Sequence, residues 1–320
     1  MKFVNKNILV LTDGSEGMIS QVIGLAQEFS KNINSLETKL LFPWSKLQPG
    51  ILPIFPWIFL NNINNIKSPD IIISCGRKSV YLSIFLKKKF SKAINIHIQN
   101  PKINFYNFDY IIAPNHDNIN GKNVICSIGA LHKFNKKNIN QLTKSKFDLP
   151  KKNLVSVIIG GENNHYYFSI NEINKLILKI RNLKKINSKY NFLIITSRRT
   201  TKDMKEMLEK KLKNISIIWK ENEKNPYVFS LKYSKFFIVT SDSTSMISEC
   251  AITGKPVYIF HLPFKRISNR IKRFHNEFEK LKITKKLERK KDLKTWKYKP
   301  LYESKRIASI VKKRIIKESL

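Results

Sequence analysis

Acidic residues are scarce in this chain of 320 residues: 23 Asp and Glu stand against 60 Lys and Arg, for a formal net charge of +37. That imbalance suits an anionic partner such as nucleic acid, an acidic membrane surface or a phosphorylated substrate. A compositional bias would give the same excess, since Lys, Asn and Ile are enriched from end to end and the basic residues are dispersed. No RNA- or DNA-binding motif is present, and aromatics do not interleave with the basic runs, so no specific nucleic-acid partner is expected. Cysteine is nearly absent. Cys75, Cys126 and Cys250 form no CxxC pair and no even set. This excludes a readable disulfide framework or zinc site and suggests buried thiols in a reducing cytoplasm. His97, His116, His132 and His165 show no HxH or HxxxH pairing, so no metal is expected.

Long hydrophobic runs are missing as well. The apolar run at residues 8–11 is too short for a signal peptide and leads into Asp13. Residues 51–60 are strongly apolar but contain Pro53 and Pro56, and a bilayer span needs ~20 apolar residues. The stretch reads either as a buried loop or as a surface that dips into a membrane, with Trp44 and Trp57 nearby. The expected location is cytoplasmic, with peripheral contact at the inner face of an anionic membrane. No GxSxG elbow, Walker A sequence or GxGxxG fingerprint occurs, which weakens hydrolase, P-loop and dinucleotide readings.

What is present is an alternation of strand-like and helix-like segments. Strands are expected at residues 7–11, 38–42, 69–74, 94–98, 110–113 and 124–127, with helices at 18–30 and from 79 to about 89. Residues 135–152 are polar and basic with little periodicity, and read as a linker. The pattern restarts with strands at 154–159, 191–196, 215–219, 236–239 and 257–260. Helices are expected at 168–180, 203–212 and 226–233. Beyond Phe260 the chain reads as helical and very basic, with a final helix at 303–318 that would pack back on the first half. The fold class is α/β: two Rossmann-like domains, 1–140 and 151–320, facing each other across a cleft. Ligands of such sheets bind outside the carboxyl ends of the strands.

The segment from Val239 to Pro256 is the most informative of those edges. A buried strand leads into Ser241, Asp242, Ser243, Thr244 and Ser245, then a helix, then a Gly254-Lys255-Pro256 exit. A helix N-terminus crowded with hydroxyls suits an anion, because free amides and the helix dipole face it. Glu249, a turn further in, would accept hydrogen bonds from a ribose diol. The plainer reading is an ordinary well-capped βαβ unit. Gly160-Gly161 would let backbone amides face a phosphate, or simply make a tight turn. Arg198 and Arg199 after a strand would clamp a diphosphate. Gly76 and Arg77 stand at the equivalent place in the first half. There Asp13-Gly14-Ser15-Glu16-Gly17 offers Asp13, or else Glu16, as a general base, with Gly14 and Gly17 permitting close approach. A capped helix start explains the same residues. His116 follows the strand at 110–113.

Taken in order, Leu11-Thr-Asp-Gly14, Ser74-Cys-Gly-Arg77, Ile98-Gln-Asn-Pro101, Ala113-Pro-Asn-His-Asp117, Ile128-Gly-Ala-Leu131, Ile159-Gly-Gly161, Thr196-Ser-Arg-Arg199, Asn225-Pro-Tyr227 and Thr240-Ser-Asp-Ser243 with Ser248-Glu249 resemble the "elongated mitochondria" family. Its plant members act in mitochondrial fission and its bacterial members are regarded as glycosyltransferases of the GT-B type. The resemblance implies a nucleotide-sugar donor on the second domain and a glycan or lipid-linked acceptor on the first. Gly160, Gly161, Arg198, Arg199, Ser241, Asp242, Ser243 and Ser245 would surround the diphosphate and Glu249 the ribose. Gly14, Gly17, Gly76, Arg77 and His116 would lie on the acceptor side. Asp13 would activate the acceptor hydroxyl, with Glu16 second, and no cofactor or metal would be needed. Asn100 stands where an acidic residue would be expected before Pro101. The alternatives implied are an epimerase acting on the nucleotide sugar itself and a non-catalytic adaptor at a membrane surface.

Overall fold

The computed structural model describes residues 3, 5–142, 147–288 and 290–318. Two compact units emerge: one runs to Lys133 and resumes at Tyr302, the other is Phe134–Leu301.

The first unit opens with β1 (Ile8–Thr12), α1 (Glu16–Ala26) and β2 (Ile33–Glu37). It continues with β3 (Ile71–Cys75), α2 (Arg77–Lys89), β4 (Ile94–Ile98), β5 (Tyr110–Pro114) and β6 (Val124–Ser127). The sheet order is β2-β1-β3-β4-β5-β6, parallel throughout. β1, β3 and β5 are buried along their whole length, which is why they read as unbroken apolar runs. β2 lies at the edge and is half-exposed. The strand expected at 38–42 is therefore displaced to 33–37. Only Leu40 of the later run pairs, in an antiparallel bridge to Phe59.

The second unit begins with α3 (Lys136–Leu142), inside the segment expected to be a linker; its neighbours 143–146 lie outside the described residues. Then come β7 (Leu154–Ile159), α4 (Ile170–Ile186), β8 (Asn191–Thr196), α5 (Lys202–Leu212) and β9 (Ser216–Ile218). They are followed by α6 (Tyr227–Tyr233), β10 (Phe236–Thr240), α7 (Thr244–Ala251), β11 (Val257–Phe260), α8 (Asn269–Lys280) and β12 (Thr284–Lys286). The order is β12-β11-β10-β7-β8-β9. Ser169 caps α4 in a capping box with Glu172, and Ile173, Leu176, Ile177, Ile180 and Leu183 form its buried stripe. Because Leu183 continues that stripe, the helix outruns its expected end at 180.

α9 (Glu303–Glu318) returns to the first unit. Its Ile307, Ala308, Val311 and Ile315 are buried with Phe3, Val22, Leu25 and Phe29. Glu303 accepts from the Ile128 amide at 2.8 Å, and Tyr110 donates to Glu318 at 2.7 Å. The final helix thus packs back on the first half, as its pattern suggested, and its apolar stripe completes that core; residues from Tyr302 onward therefore belong with the first unit, not with the 151–320 domain in which the expected boundary had placed them. The region after Phe260 is also not simply helical, since β12 adds a sixth strand there and no regular element spans residues 290–301.

Candidate functional site

In a parallel sheet, the point where successive crossovers turn from one side to the other opens a crevice at the strands' carboxyl ends. In the second unit the chain leaves β7 toward β8 and β9, then returns to place β10, β11 and β12 on the other side. The switch point thus falls between β7 and β10. Gly160-Gly161 follows β7, Ser197-Arg198-Arg199 follows β8, and residues 241–245 lead from β10 into α7.

Asp242 ties these three loops together. Its side chain is fully buried and pairs with Arg199 at 2.6 Å. The Thr240 hydroxyl donates to it at 2.6 Å and the Gly161 amide at 3.1 Å. Burial pushes the Asp242 carboxyl above its ordinary range, against the pull of Arg199, Thr240 and the Gly161 amide. A Cβ on Gly160 would lie 2.0 Å from the Asp242 carboxylate, and one on Gly161 2.1 Å from the Arg199 carbonyl. The Gly160 amide donates to Thr240 at 2.8 Å. Both glycine amides are therefore committed internally. The pair is bare to admit Asp242 and Arg199, so it packs the three loops together rather than forming a phosphate nest.

The groups left facing outward are those of α7 and the β8 loop. Ser243 caps α7 by accepting from the Met246 amide at 3.3 Å. Thr244 and Ser245 occupy the first turn, half-buried, where helix amides lack intrahelical partners. Arg198 is exposed. Ser241, by contrast, is fully buried: its hydroxyl accepts from the Leu262 amide at 3.0 Å and its carbonyl contacts His275 Nε2 at 3.2 Å. It anchors β11 and α8 to the loop, so its expected place around the diphosphate is corrected to a structural one. Glu249 is buried and accepts from the Tyr227 hydroxyl at 2.5 Å. Burial, then Glu249, raises the Tyr227 phenol well above its ordinary value, so it stays a donor that fixes this carboxylate.

In the first unit the switch point lies between β1 and β3. Asp13 and Gly76-Arg77 meet there. The Asp13 carboxylate accepts from the Lys78 amide at 3.0 Å and the Ser79 amide at 2.9 Å, capping α2 across the sheet edge. Gly76 has φ +107 and a Cβ there would lie 2.7 Å from Asp13 Cγ, so glycine is required for that approach. Gly14, at φ +89, faces the Glu37 carboxylate, which a Cβ would meet at 2.8 Å. Glu16 is exposed and Gly17 lies in the first turn of α1. Arg77 is not free for a ligand: its guanidinium donates to the carbonyls of Trp44, Ser45 and Leu47. His116 is 2 % exposed in a 3-10 turn, 3.8 Å from Asp117, which is a core position.

Sequence reasoning missed the parts played by Thr240, Thr200, Glu37 and Tyr227. Thr200 donates to the Gly160 carbonyl at 2.6 Å and holds the β8 loop to the glycine pair. For Thr240 the available signal was a threonine at the end of a buried strand directly before Ser241-Asp242; Thr200, Glu37 and Tyr227 carried none.

Comparison with known proteins decides the family. A family model described as mitochondrial fission ELM1 matches residues 16–315. The chain belongs to that family. A protein of Rickettsia prowazekii (strain Madrid E), RP120, is 29 % identical over 96 % of this chain and 98 % of its own length. The mitochondrial fission protein ELM1 of Arabidopsis thaliana is 25 % identical over 77 % of this chain, a match spanning 64 % of the plant protein. The UDP-GlcNAc 2-epimerase of Neisseria meningitidis, solved with UDP-GlcNAc bound, superposes with TM-score 0.51 at 14 % identity, covering 97 % of this chain and 100 % of the epimerase. At that identity the likeness is one of fold: this ELM1-family chain has the two-domain α/β architecture of GT-B type.

Proposed function

We propose that this ELM1-family protein is a glycosyltransferase that takes its sugar from a nucleotide-sugar donor held by the second unit. The observation that carries the reading is the β7–β10 switch point. There the exposed Arg198 follows β8 and the hydroxyl-rich N-terminus of α7 follows β10, and Asp242 ties both loops to Gly160-Gly161. A diphosphate suits that arrangement, since arginine forks and helix amides both bind phosphate oxygens. Arg199, neutralised by Asp242, positions the loop, and Arg198 supplies the uncancelled charge. Glu249, oriented by Tyr227, meets the ribose diol. As the sugar leaves, Arg198 and the α7 amides stabilise the charge developing on the diphosphate. The nucleotide sugar is thus a co-substrate, and neither a resident cofactor nor a metal is invoked. The strand order of this unit, which is that of nucleotide-binding sheets, supports the same reading.

On the first unit, Asp13 takes the part of the base toward an acceptor hydroxyl, with Glu16 second. The two amides at Asp13 hold the carboxylate in one orientation while leaving lone pairs for a proton. The acceptor class is a glycan or lipid-linked glycan at the inner face of a membrane.

Labelled nucleotide sugars incubated with the protein, with and without a lipid-glycan extract, test this. Sugar should move to the extract, and Asp13→Asn should slow transfer by about 10²-fold, the low end of a general-base contribution. A donor altered without any acceptor would make the protein an epimerase instead. Donor binding with no turnover under either condition would leave the adaptor role.

A further inference from the structure

The segment joining β2 to β3 is held rigidly yet presents its aromatic side chains to solvent. Trp44, Ile58 and Phe59 are buried with Leu9, Leu11, Ile72, Tyr81 and Leu82 and anchor the segment. Many of its backbone polar groups are engaged from within. Trp44 Nε1 donates to the Pro53 carbonyl at 2.9 Å, and the Tyr81 hydroxyl to the Gln48 carbonyl at 2.8 Å. The Leu41 amide donates to Ile58 at 2.9 Å and the Leu60 amide to Lys39 at 3.0 Å. Arg77 spends its guanidinium on three carbonyls of residues 44–47. A loop of this length with a buried floor would be expected to turn its apolar residues inward. Instead Phe42 is 78 % and Trp57 58 % exposed, and Leu41, Ile51, Phe55 and Leu60 are exposed beside them. Phe55 and Trp57 stack at 5.6 Å with rings 9° apart, and Trp57 meets Trp44 edge-on at 5.0 Å. The platform is therefore pre-formed.

Charge says what covers it. Between Thr38 and Ser68 there is no Asp or Glu, while Lys39, Lys46 and Lys67 are exposed. Exposed aromatics on a frame braced by internal backbone hydrogen bonds, with exposed lysines in the same segment and no acid, match the boundary between lipid chains and anionic headgroups. Among the described residues no helix is long and apolar enough to cross a membrane. We propose that residues 41–60 form a docking face that inserts shallowly into an anionic lipid bilayer, with Phe42 and Trp57 as its wedge. Arg77 opens α2 at the carboxyl end of β3, so the same side chain that braces this face also sits at the acceptor edge of the first unit. The docking face rests on its own geometry. Its use in reaching a lipid-linked acceptor rests on the transferase reading above.

The test uses the whole protein, without nucleotide sugar, and vesicles of phosphatidylcholine alone or mixed with phosphatidylglycerol. The protein should float with the mixed vesicles at moderate salt. Bromine on the lipid chains should quench its tryptophan fluorescence, and Trp57→Phe should keep binding but lose that quenching. Phe42→Ser with Trp57→Ser should weaken binding about tenfold or more with an unchanged melting temperature, because both side chains are exposed. Lys39→Gln, Lys46→Gln and Lys67→Gln together should lower the salt-sensitive part. Equal binding by wild type and the Phe42/Trp57 variant, with no quenching, would reduce the interaction to bulk charge and overturn the proposal. A dimer in solution that the same two substitutions dissolve would assign the face to a second copy and overturn it as well. Because no donor is present, failure here leaves the transferase reading untouched, and the reverse also holds.

Discussion

Asp242 accepts from the Thr240 hydroxyl, the Gly161 amide and the Arg199 guanidinium with its side chain out of contact with solvent, whereas the Arg199 side chain is 40 % exposed. The pair is thus asymmetric: Arg199 can turn to water and Asp242 cannot. Arg199→Ala should cost about 2–3 kcal/mol in urea unfolding, below the ~3–5 kcal/mol of a fully buried broken pair because the cation is partly solvated. Adding Asp242→Asn should recover a measurable share, since the stranded charge is then gone. Strict additivity of the two substitutions would contradict the pairing. His97 supplies a pH dependence. Its ring lies 2.8 Å from the Ser74 hydroxyl, 1 % exposed, and burial lowers its pKa from 6.5 to about 3. The unfolded chain binds the extra proton between those values. Stability linked to His97 is therefore complete above pH 6.5 and falls as pH drops toward 3, at up to about 1.4 kcal/mol per pH unit. Denaturation midpoints of wild type and His97→Gln between pH 7 and 5 should converge as the pH falls; parallel lines would disprove the linkage.

Among the elements, α1 shows how close packing constrains a helix. Gly24 has no room for a side chain, as a Cβ would lie 2.2 Å from the His132 carbonyl. Alanine normally strengthens a helix by about 1 kcal/mol over glycine. Gly24→Ala should instead destabilise by about 1–3 kcal/mol, as overpacking against backbone does, with a lowered melting temperature. Most elements were legible because buried parallel strands such as Ile71–Cys75 and Leu154–Ile159 are continuous apolar runs, and the intervening helices keep their 3.6-residue stripe. β2 and β12 were not. One is a half-exposed edge strand and the other is three residues of Thr-Lys-Lys, so neither carries a burial pattern. The apolar run at 40–42 looked like a strand because anchoring a loop and filling a sheet ask for the same residues. At the candidate site, the position of the motifs at strand carboxyl ends followed from the βα alternation. Their partners did not, because Gly161 meets Asp242 across 81 residues and Arg77 meets Ser45 across 32. Spacing along the chain does not encode such pairings.

At the scale of the whole molecule, the C-terminal helix belongs to the N-terminal core. Ending the chain before Tyr302 would remove four buried apolar side chains of α9 and the contacts of Glu303 and Glu318. At about 1.5–3 kcal/mol for each large side chain withdrawn from water, that loss approaches the usual stability of a domain. Proteolysis of the truncated chain should cut the first unit rapidly and spare Phe134–Leu301; equal resistance of both units would contradict this packing. In the proposed function the β7–β10 switch point holds a nucleoside diphosphate. Calorimetric titration of the intact protein with UDP, GDP, CMP, ADP and dTDP and their sugars tests it most directly. One nucleotide should bind selectively and be weakened about tenfold or more, or about 1.4 kcal/mol, by Arg198→Ala, with the melting temperature of the free protein unchanged. Binding of that nucleotide at full strength to Arg198→Ala and Ser245→Ala, or no binding of any of them, would contradict the account.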